Sequence, residues 1–312
     1  MGLSAESRQM RASVAAGGLA RAPGAEVSAA SLADAYAYCA RLARSHYENF
    51  TLASWLMPRA MRPHMYAIYA YARIADDFAD ELADRERSLA KLDEWERELD
   101  LAYAGAPRHP VMVALAETAR RFALPREPFA DLVRAFRGAV DFRGFETIDE
   151  LLEYARFSAN PIGRIVLYLF DYRDAERQHL SDLVCSGLQL ANFWQDVAID
   201  QAKGRVYFPR RDLERFNVTV AELGAGQISP AFVALMRHEI EFARDLLTRG
   251  AELHRLVDRR LSRDILMFAG GGLAMLRAIE RIGYDVFTRR PKLTRFDYLR
   301  LGLRALGGRL TA

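Results

Sequence analysis

Tyr69-Ala-Tyr-Ala-Arg73-Ile-Ala-Asp76-Asp77-Phe-Ala-Asp80-Glu81 carries acid within a run that is otherwise apolar and helical in pattern. Met65, Ile68, Ala70, Ala72, Ile74 and Ala75 surround the charges, and Pro63 lies upstream. At ~3.6 residues per turn, positions 69, 73, 76 and 80 share one stripe that reads Tyr, Arg, Asp, Asp. Asp76 and Asp80 are then roughly 6 Å apart along the axis. Like charges at this spacing repel weakly on an exposed helix, and more strongly inside a protein unless a cation lies between them.

Gln189-Leu-Ala-Asn192-Phe-Trp-Gln-Asp196-Val-Ala-Ile-Asp200 repeats the arrangement without repeating the flanks. Its stripe reads Gln, Asn, Asp, Asp. Each pair alone suits a solvated helix face. Two pairs on Ala-, Ile-, Phe- and Trp-rich backgrounds argue for a pocket instead, since unpaired Asp is seldom buried. Carboxylate oxygens suit Mg²⁺, which keeps waters and shares itself with substrate phosphates. The sequence therefore predicts two acidic walls gripping a diphosphate through metal.

The whole chain narrows the setting. Its 312 residues suffice for one large domain or two small ones. Residues 1–27, rich in Ala, Gly, Ser and Arg, read as a flexible N-terminal tail before a domain spanning 28–312. A net charge of +3 fits an anionic substrate or membrane surface, and no dense basic run with interleaved aromatics points to nucleic acid. Cys39 and Cys185 have no motif spacing and read as free thiols of a reducing cytoplasm. No run reaches the length of a membrane span, residues 265–276 being short and Gly-rich, and no secretory signal core is seen.

From Ser31 onward nearly every segment has helical period, with breaks at Pro and Gly clusters. Helices are expected over 85–103, 110–122, 128–141, 147–170, 175–200 and 230–260. The fold class is all-α, a helical bundle with one core and a central cavity.

Four further stretches bear on function. Ser45-His46-Tyr47-Glu48-Asn49-Phe50 reads either as a helix end or as a lid touching diphosphate. Tyr154–Gly163 interrupts a helix with Asn160-Pro161, which is either packing or a kink turning polar groups toward a ligand. Lys203-Gly204-Arg205-Val-Tyr207-Phe-Pro209 is a basic, Gly-hinged loop able to fold over phosphate oxygens, and equally a helix cap complementing the dipole. Residues 296–310 are amphipathic and basic, which suits docking on the chain's own core or peripheral contact with a membrane.

Together these residues resemble the head-to-head prenyl synthase family of squalene and phytoene synthases over roughly 31–300. The matches are Tyr69-x-x-x-Arg73-x-x-Asp76-Asp77-x-x-Asp80-Glu81, Gln189-x-x-Asn192-x-x-x-Asp196-x-x-x-Asp200 and Gly204-Arg205-x-Tyr207-x-Pro209. The resemblance implies a single-domain isoprenoid-synthase bundle. It implies Mg²⁺ on Asp76, Asp80, Asp196 and Asp200, and diphosphate or pocket contacts from Tyr69, Arg73, Gln189, Asn192, Arg205 and Tyr207. His46–Phe50, Ser158–Gly163 and Gln195, where the family often has Arg, depart from the common pattern. His46–Phe50, Ser158–Gly163 and Asn192-Phe-Trp-Gln-Asp196 resemble a bacterial branch from hopanoid gene clusters that acts as hydroxysqualene synthase, often labelled squalene synthase.

That branch implies presqualene diphosphate as substrate, loss of diphosphate, and capture of the cation by water. His46, Tyr47 and Asn160 are candidates for the polar gate. No nucleotide is required, and Gly270-Gly-Gly272 lacks a strand-loop-helix setting. Aromatics such as Tyr47, Phe50, Tyr69, Phe193 and Trp194 could steady positive charge through their faces. Alternatives are a synthase coupling two farnesyl diphosphates, a phytoene-type synthase using the C20 unit, and a non-catalytic assembly subunit that binds prenyl diphosphate or a pathway partner enzyme.

Overall fold

The computed structural model describes residues 32–45, 58–80, 84–308 and 310. Every regular element among them is helical. The chain divides into two compact units, Met1–Val140 and Asp141–Ala312.

The first unit contains α1 (Leu32–Ser45), α2 (Arg62–Asp80), α3 (Arg85–Tyr103), α4 (Pro110–Phe122) and α5 (Glu127–Val140). Local chemistry sets several boundaries. Asp84 caps α3 by accepting from the Glu86 and Arg87 amides. His109 does the same for Val111 at α4, where Pro110 supplies a helical φ at no hydrogen-bonding cost. α2 packs against the other four helices, and its apolar face builds their core. Tyr71 is fully buried, stacks on Trp95 at 5.7 Å and meets Phe129 edge-on at 5.4 Å. Its hydroxyl donates to the Phe129 carbonyl, and the Trp95 indole donates to the Tyr71 carbonyl. The central helix of this unit is thus fixed in rotation by polar as well as apolar contacts.

The second unit contains α6 (Ile148–Ser158), α7 (Asn160–Leu169), α8 (Ala175–Gln195), α9 (Val197–Ala202), α10 (Arg210–Arg215), α11 (Val220–Gly224) and α12 (Pro230–Gly250). A 3-10 turn at Ala251–Arg255, α13 (Arg259–Arg281) and α14 (Arg295–Leu306) follow. α8 is its axis, touching α6, α7, α12 and α13. Leu247 of α12 wedges between glycines of two helices. A Cβ on Gly187 of α8 would lie 2.7 Å from the Leu247 Cγ, and one on Gly272 of α13 2.8 Å from its Cδ1. The glycine run at 270–272 therefore lies within a helix, where Gly272 permits close packing.

Three expected helices are shorter than their periodicity suggested. The segment 147–170 divides at Ala159, where Pro161 has no amide to continue the ladder and α7 starts afresh. The segment 175–200 divides at Asp196, and 230–260 leaves α-helical geometry after Gly250. The segments 85–103 and 110–122 match α3 and α4. Cys39 and Cys185 are free, and burial pushes both thiols up to about 12. Among the described residues no helix is long and apolar enough to cross a membrane.

Candidate active site

The acidic stripe of α2 emerges at the edge of the first unit's core. Asp80 is exposed, Asp76 and Arg73 are half-buried, and Ile74 and Ala75 behind them are buried. Arg73 Nη1 donates to Asp76 Oδ2 at 3.1 Å, and its other terminal nitrogen is paired with Asp77. Burial works against the Arg73 cation, but Asp77 and Asp76 outweigh it and raise its pKa. Tyr69 completes the cluster: burial raises its hydroxyl pKa, Arg73 lowers it, and Asp77 and Asp76 raise it. Its proton is therefore firmly held.

Asp77 was not expected to carry a role of its own. It lies one position off the stripe, is 8% exposed, and holds Arg73 from the core side. The arginine is so positioned that its charge stays beside Asp76. Adjacency to two better-spaced aspartates hides this in the sequence.

The second pair straddles a break. α8 ends at Gln195, Asp196 has φ −106° and ψ 18°, and α9 restarts at Val197. The ladder bonds nevertheless persist, with the Asp196 amide donating to Asn192 and the Asp200 amide to Asp196. Asp196 is held from two sides. Asn192 donates to its Oδ2 at 2.8 Å, and Arg290 forks onto it, Nε to Oδ1 at 2.7 Å and Nη2 to Oδ2 at 3.0 Å. Gln195 donates to the Pro291 carbonyl at 2.8 Å, so neighbouring residues of one loop engage both sides of the break. Arg290 lay outside every spaced motif; the basic run Arg289-Arg290-Pro291-Lys292 was the available signal.

The loop after α9 folds back beneath Asp200. The Asp200 carbonyl accepts from the Lys203 and Arg205 amides, and Gly204 takes φ +75°, a conformation that suits glycine. Lys203 is exposed and Arg205 half-buried. Tyr207 is buried and stacks face to face on Phe193, centroids 3.7 Å apart, with Phe142 and Phe145 around it. A small pocket beside them is lined by Phe193, Trp194, Asp200, Arg205 and Tyr207, among others.

Gln189 and Asn160 sit deeper. Ser158 donates toward Gln189 Oε1 at 3.2 Å, and Ser186 donates to the buried Asn160 Oδ1 at 3.0 Å. Asn160 thus joins α7 to α8. His46 and Tyr47 lie outside the described residues.

As donors for a divalent cation, Asp76, Asp80, Asp196 and Asp200 offer hard carboxylate oxygens of the type Mg²⁺ takes. Among the described residues no three His, Cys, Asp or Glu side chains converge as a metal-holding group. Any such ion would complete its shell with waters and phosphate oxygens, which Mg²⁺ favours. The Arg290 fork shows that positive charge is accommodated against Asp196.

Among the described residues the regular elements are all helical, one Asp-x-x-x-Asp pair lies on a helix and the other spans a helix break, each beside a basic group, and the fold is that of the isoprenoid synthases. The chain belongs to the squalene/phytoene synthase family, whose model matches residues 19–297. It is 31% identical over 278 residues to a phytoene synthase of Arthrospira platensis, covering 84% of this chain and 89% of that one. It is 35% identical over 237 residues to a hydroxysqualene synthase of Sinorhizobium fredii, covering 74% and 80%. Among solved structures it resembles the squalene synthase HpnC of Alicyclobacillus acidocaldarius, with a TM-score of 0.78 and 41% identity over 81% of this chain and 95% of that one. A dehydrosqualene synthase in complex with ligand matches with a TM-score of 0.81 and 27% identity over 88% and 96%. The chain is an enzyme of the squalene/phytoene synthase type, a prenyl diphosphate-processing synthase.

Proposed function

We propose that the chain converts presqualene diphosphate and water into hydroxysqualene and diphosphate. The C–O bond to diphosphate breaks with its electron pair on the leaving group, the cyclopropane opens, and water forms the new C–O bond and releases a proton. No electrons are gained or lost, so no nicotinamide is required.

The carrying observation is the second pair's surroundings. Asp196 and Asp200 are intact, yet Gln195, where the family often has Arg, is neutral and spent on the Pro291 carbonyl. One fewer cation beside this pair suits one diphosphate better than two. The identity to relatives named hydroxysqualene synthase and squalene synthase HpnC supports the same reading.

Asp76, Asp80, Asp196 and Asp200 would hold Mg²⁺, which when bound supplies positive charge to the departing diphosphate. Arg73, Arg205, Lys203 and Arg290 supply further donors for phosphate oxygens. Phe193 and Tyr207 present aromatic faces suited to a carbocation.

A product assay with purified protein and Mg²⁺, without NADPH, tests this. Hydroxysqualene should form from presqualene diphosphate, and farnesyl diphosphate alone should be left unconsumed. Presqualene diphosphate formed from farnesyl diphosphate would overturn the assignment in favour of coupling. Mg²⁺-dependent binding without turnover of either substrate would overturn it in favour of a binding subunit.

A further inference from the structure

α14 presents more apolar surface outward than inward. Leu301 and Ala305 are buried, and α14 packs on α13. Phe296 is 76% exposed, Leu299 60%, Leu303 63% and Leu306 61%. At about 100° per residue these four fall within roughly 80° of the helix circumference. They form one continuous stripe rather than scattered apolar side chains.

A basic groove runs beside the stripe. It is lined by Ala274, Arg277, Arg281, Asp297, Arg300 and Leu301. Arg300 and Arg304 follow the stripe on the side of α14 that carries Asp297. Asp297, the acidic residue of the lining, is already engaged. It accepts from the Thr294 amide and hydroxyl at 2.8 Å and faces Arg281 at 3.8 Å. Its carboxyl is held below the usual range by those Thr294 bonds, helped by Arg281 and Arg277. Arg244 nearby is neutralised by Glu280 and Glu241.

Arg277 differs. It is half-buried, as is Arg304, while Arg300 is exposed, and none of the three makes a hydrogen bond or ion pair among the described residues. Burial lowers the Arg277 pKa, and Arg300, Arg244, Arg304 and Arg281 lower it further. The groove therefore holds more positive charge than its carboxylates offset, and an anion there would relieve the repulsion.

We propose that α14 and this groove form a docking surface for an anionic lipid bilayer. Phe296, Leu299, Leu303 and Leu306 enter the headgroup–acyl boundary, and Arg277, Arg300 and Arg304 take lipid phosphates. An exposed apolar stripe flanked by arginines is the pattern of a helix lying in the membrane plane. Charge selects this occupant over two others. A second copy bringing the same face would set arginines against arginines. Residues 1–31 carry Arg8, Arg11 and Arg21 against Glu6 and Glu26, so they also lack the anionic excess the groove calls for. The surface is independent of which prenyl reaction the enzyme performs.

The test is co-sedimentation of the full chain with phosphatidylglycerol-containing vesicles and with pure phosphatidylcholine vesicles. The chain should sediment with the first, about tenfold or more above the second, and salt should weaken the association. R277Q/R300Q should lower vesicle affinity by about 5-fold per arginine, since each basic residue near such a surface contributes ~1 kcal/mol. L299S/L303S should lose sedimentation while retaining far-ultraviolet helicity and turnover of soluble substrate. A Trp placed by F296W should shift to the blue on adding anionic vesicles. Equal sedimentation with both vesicle types would overturn the proposal. So would no sedimentation with either, protection of the groove by inorganic phosphate without vesicle binding, or a dimer in sedimentation equilibrium that L299S/L303S dissolves.

Discussion

Arg290 closes a two-bond fork on Asp196 across 94 residues of chain, at 2.7 and 3.0 Å. Asp196 is mostly shielded and Arg290 about half-exposed, so the pair lies at the margin of solvent. A forked guanidinium in that position does two things. It neutralises a carboxylate that would otherwise repel Asp200, and it keeps a planar donor beside the place where phosphate oxygens are proposed to bind.

R290A should separate those two roles. With Asp196 released, Mg²⁺ measured by titration calorimetry should bind as tightly as before or severalfold more tightly. Turnover should fall by ~10- to 100-fold, the range expected for one charge-assisted donor lost from a site. Weaker Mg²⁺ binding with unchanged turnover would show that the fork only braces the carboxylate.

Asp77 and Asp80 should respond in opposite ways, although only three positions separate them. D77N removes the core-side partner of Arg73, and an arginine left half-buried with less opposing charge should cost about 3 kcal/mol of stability. D80N alters an exposed side chain and should change stability by less than about 0.5 kcal/mol. D76N/D80N should abolish turnover with helical content unchanged. Denaturant unfolding and product formation, measured on the same preparations, check both halves.

The acidic stripe of α2 was legible because an i,i+4 spacing is local and the apolar residues around it fix the face. The boundaries of α3 and α4 were legible for a similar reason, since Asp84 and His109-Pro110 act within one turn. The break at Asp196 was not. Its amide still follows the helical ladder, and the residues engaging Asp196 and Gln195 are Arg290 and Pro291, from a loop without periodicity. Asp77 was obscured by the reverse problem. Three aspartates within five positions all looked available, and only packing shows which one turns inward.

The Leu247 wedge gives a packing prediction. G187A would place a methyl 2.7 Å from the Leu247 Cγ and 3.2 Å from the Ala243 carbonyl. Alanine is intrinsically the better helix former, by about 1 kcal/mol. The overlap should more than cancel that gain, for a net loss of ~1–3 kcal/mol. G187A/L247A removes the obstructing side chain and should fall less than the two single changes added together. Strict additivity in urea unfolding would place the cost elsewhere.

Glu239 of α12 gives the pH prediction. It is 1% exposed, and its Oε1 finds no hydrogen bond among the described residues. Burial, and secondarily the charge of Asp212, push its carboxyl up from 4.5 to about 8. Asp212 itself faces His238 at 3.9 Å. Between pH 4.5 and 8 the folded chain keeps a proton that the unfolded chain has lost, so stability falls as pH rises and levels off above 8. The ceiling on that loss is on the order of 5 kcal/mol, from ~1.4 kcal/mol per pH unit of displacement. E239Q is neutral at every pH and removes this contribution. Its unfolding free energy should show a flatter decline over that interval and exceed that of the unsubstituted chain at the alkaline end. An unaltered slope would mean that Glu239 ionises in the folded state near its ordinary pKa, with solvent reaching the α12 core.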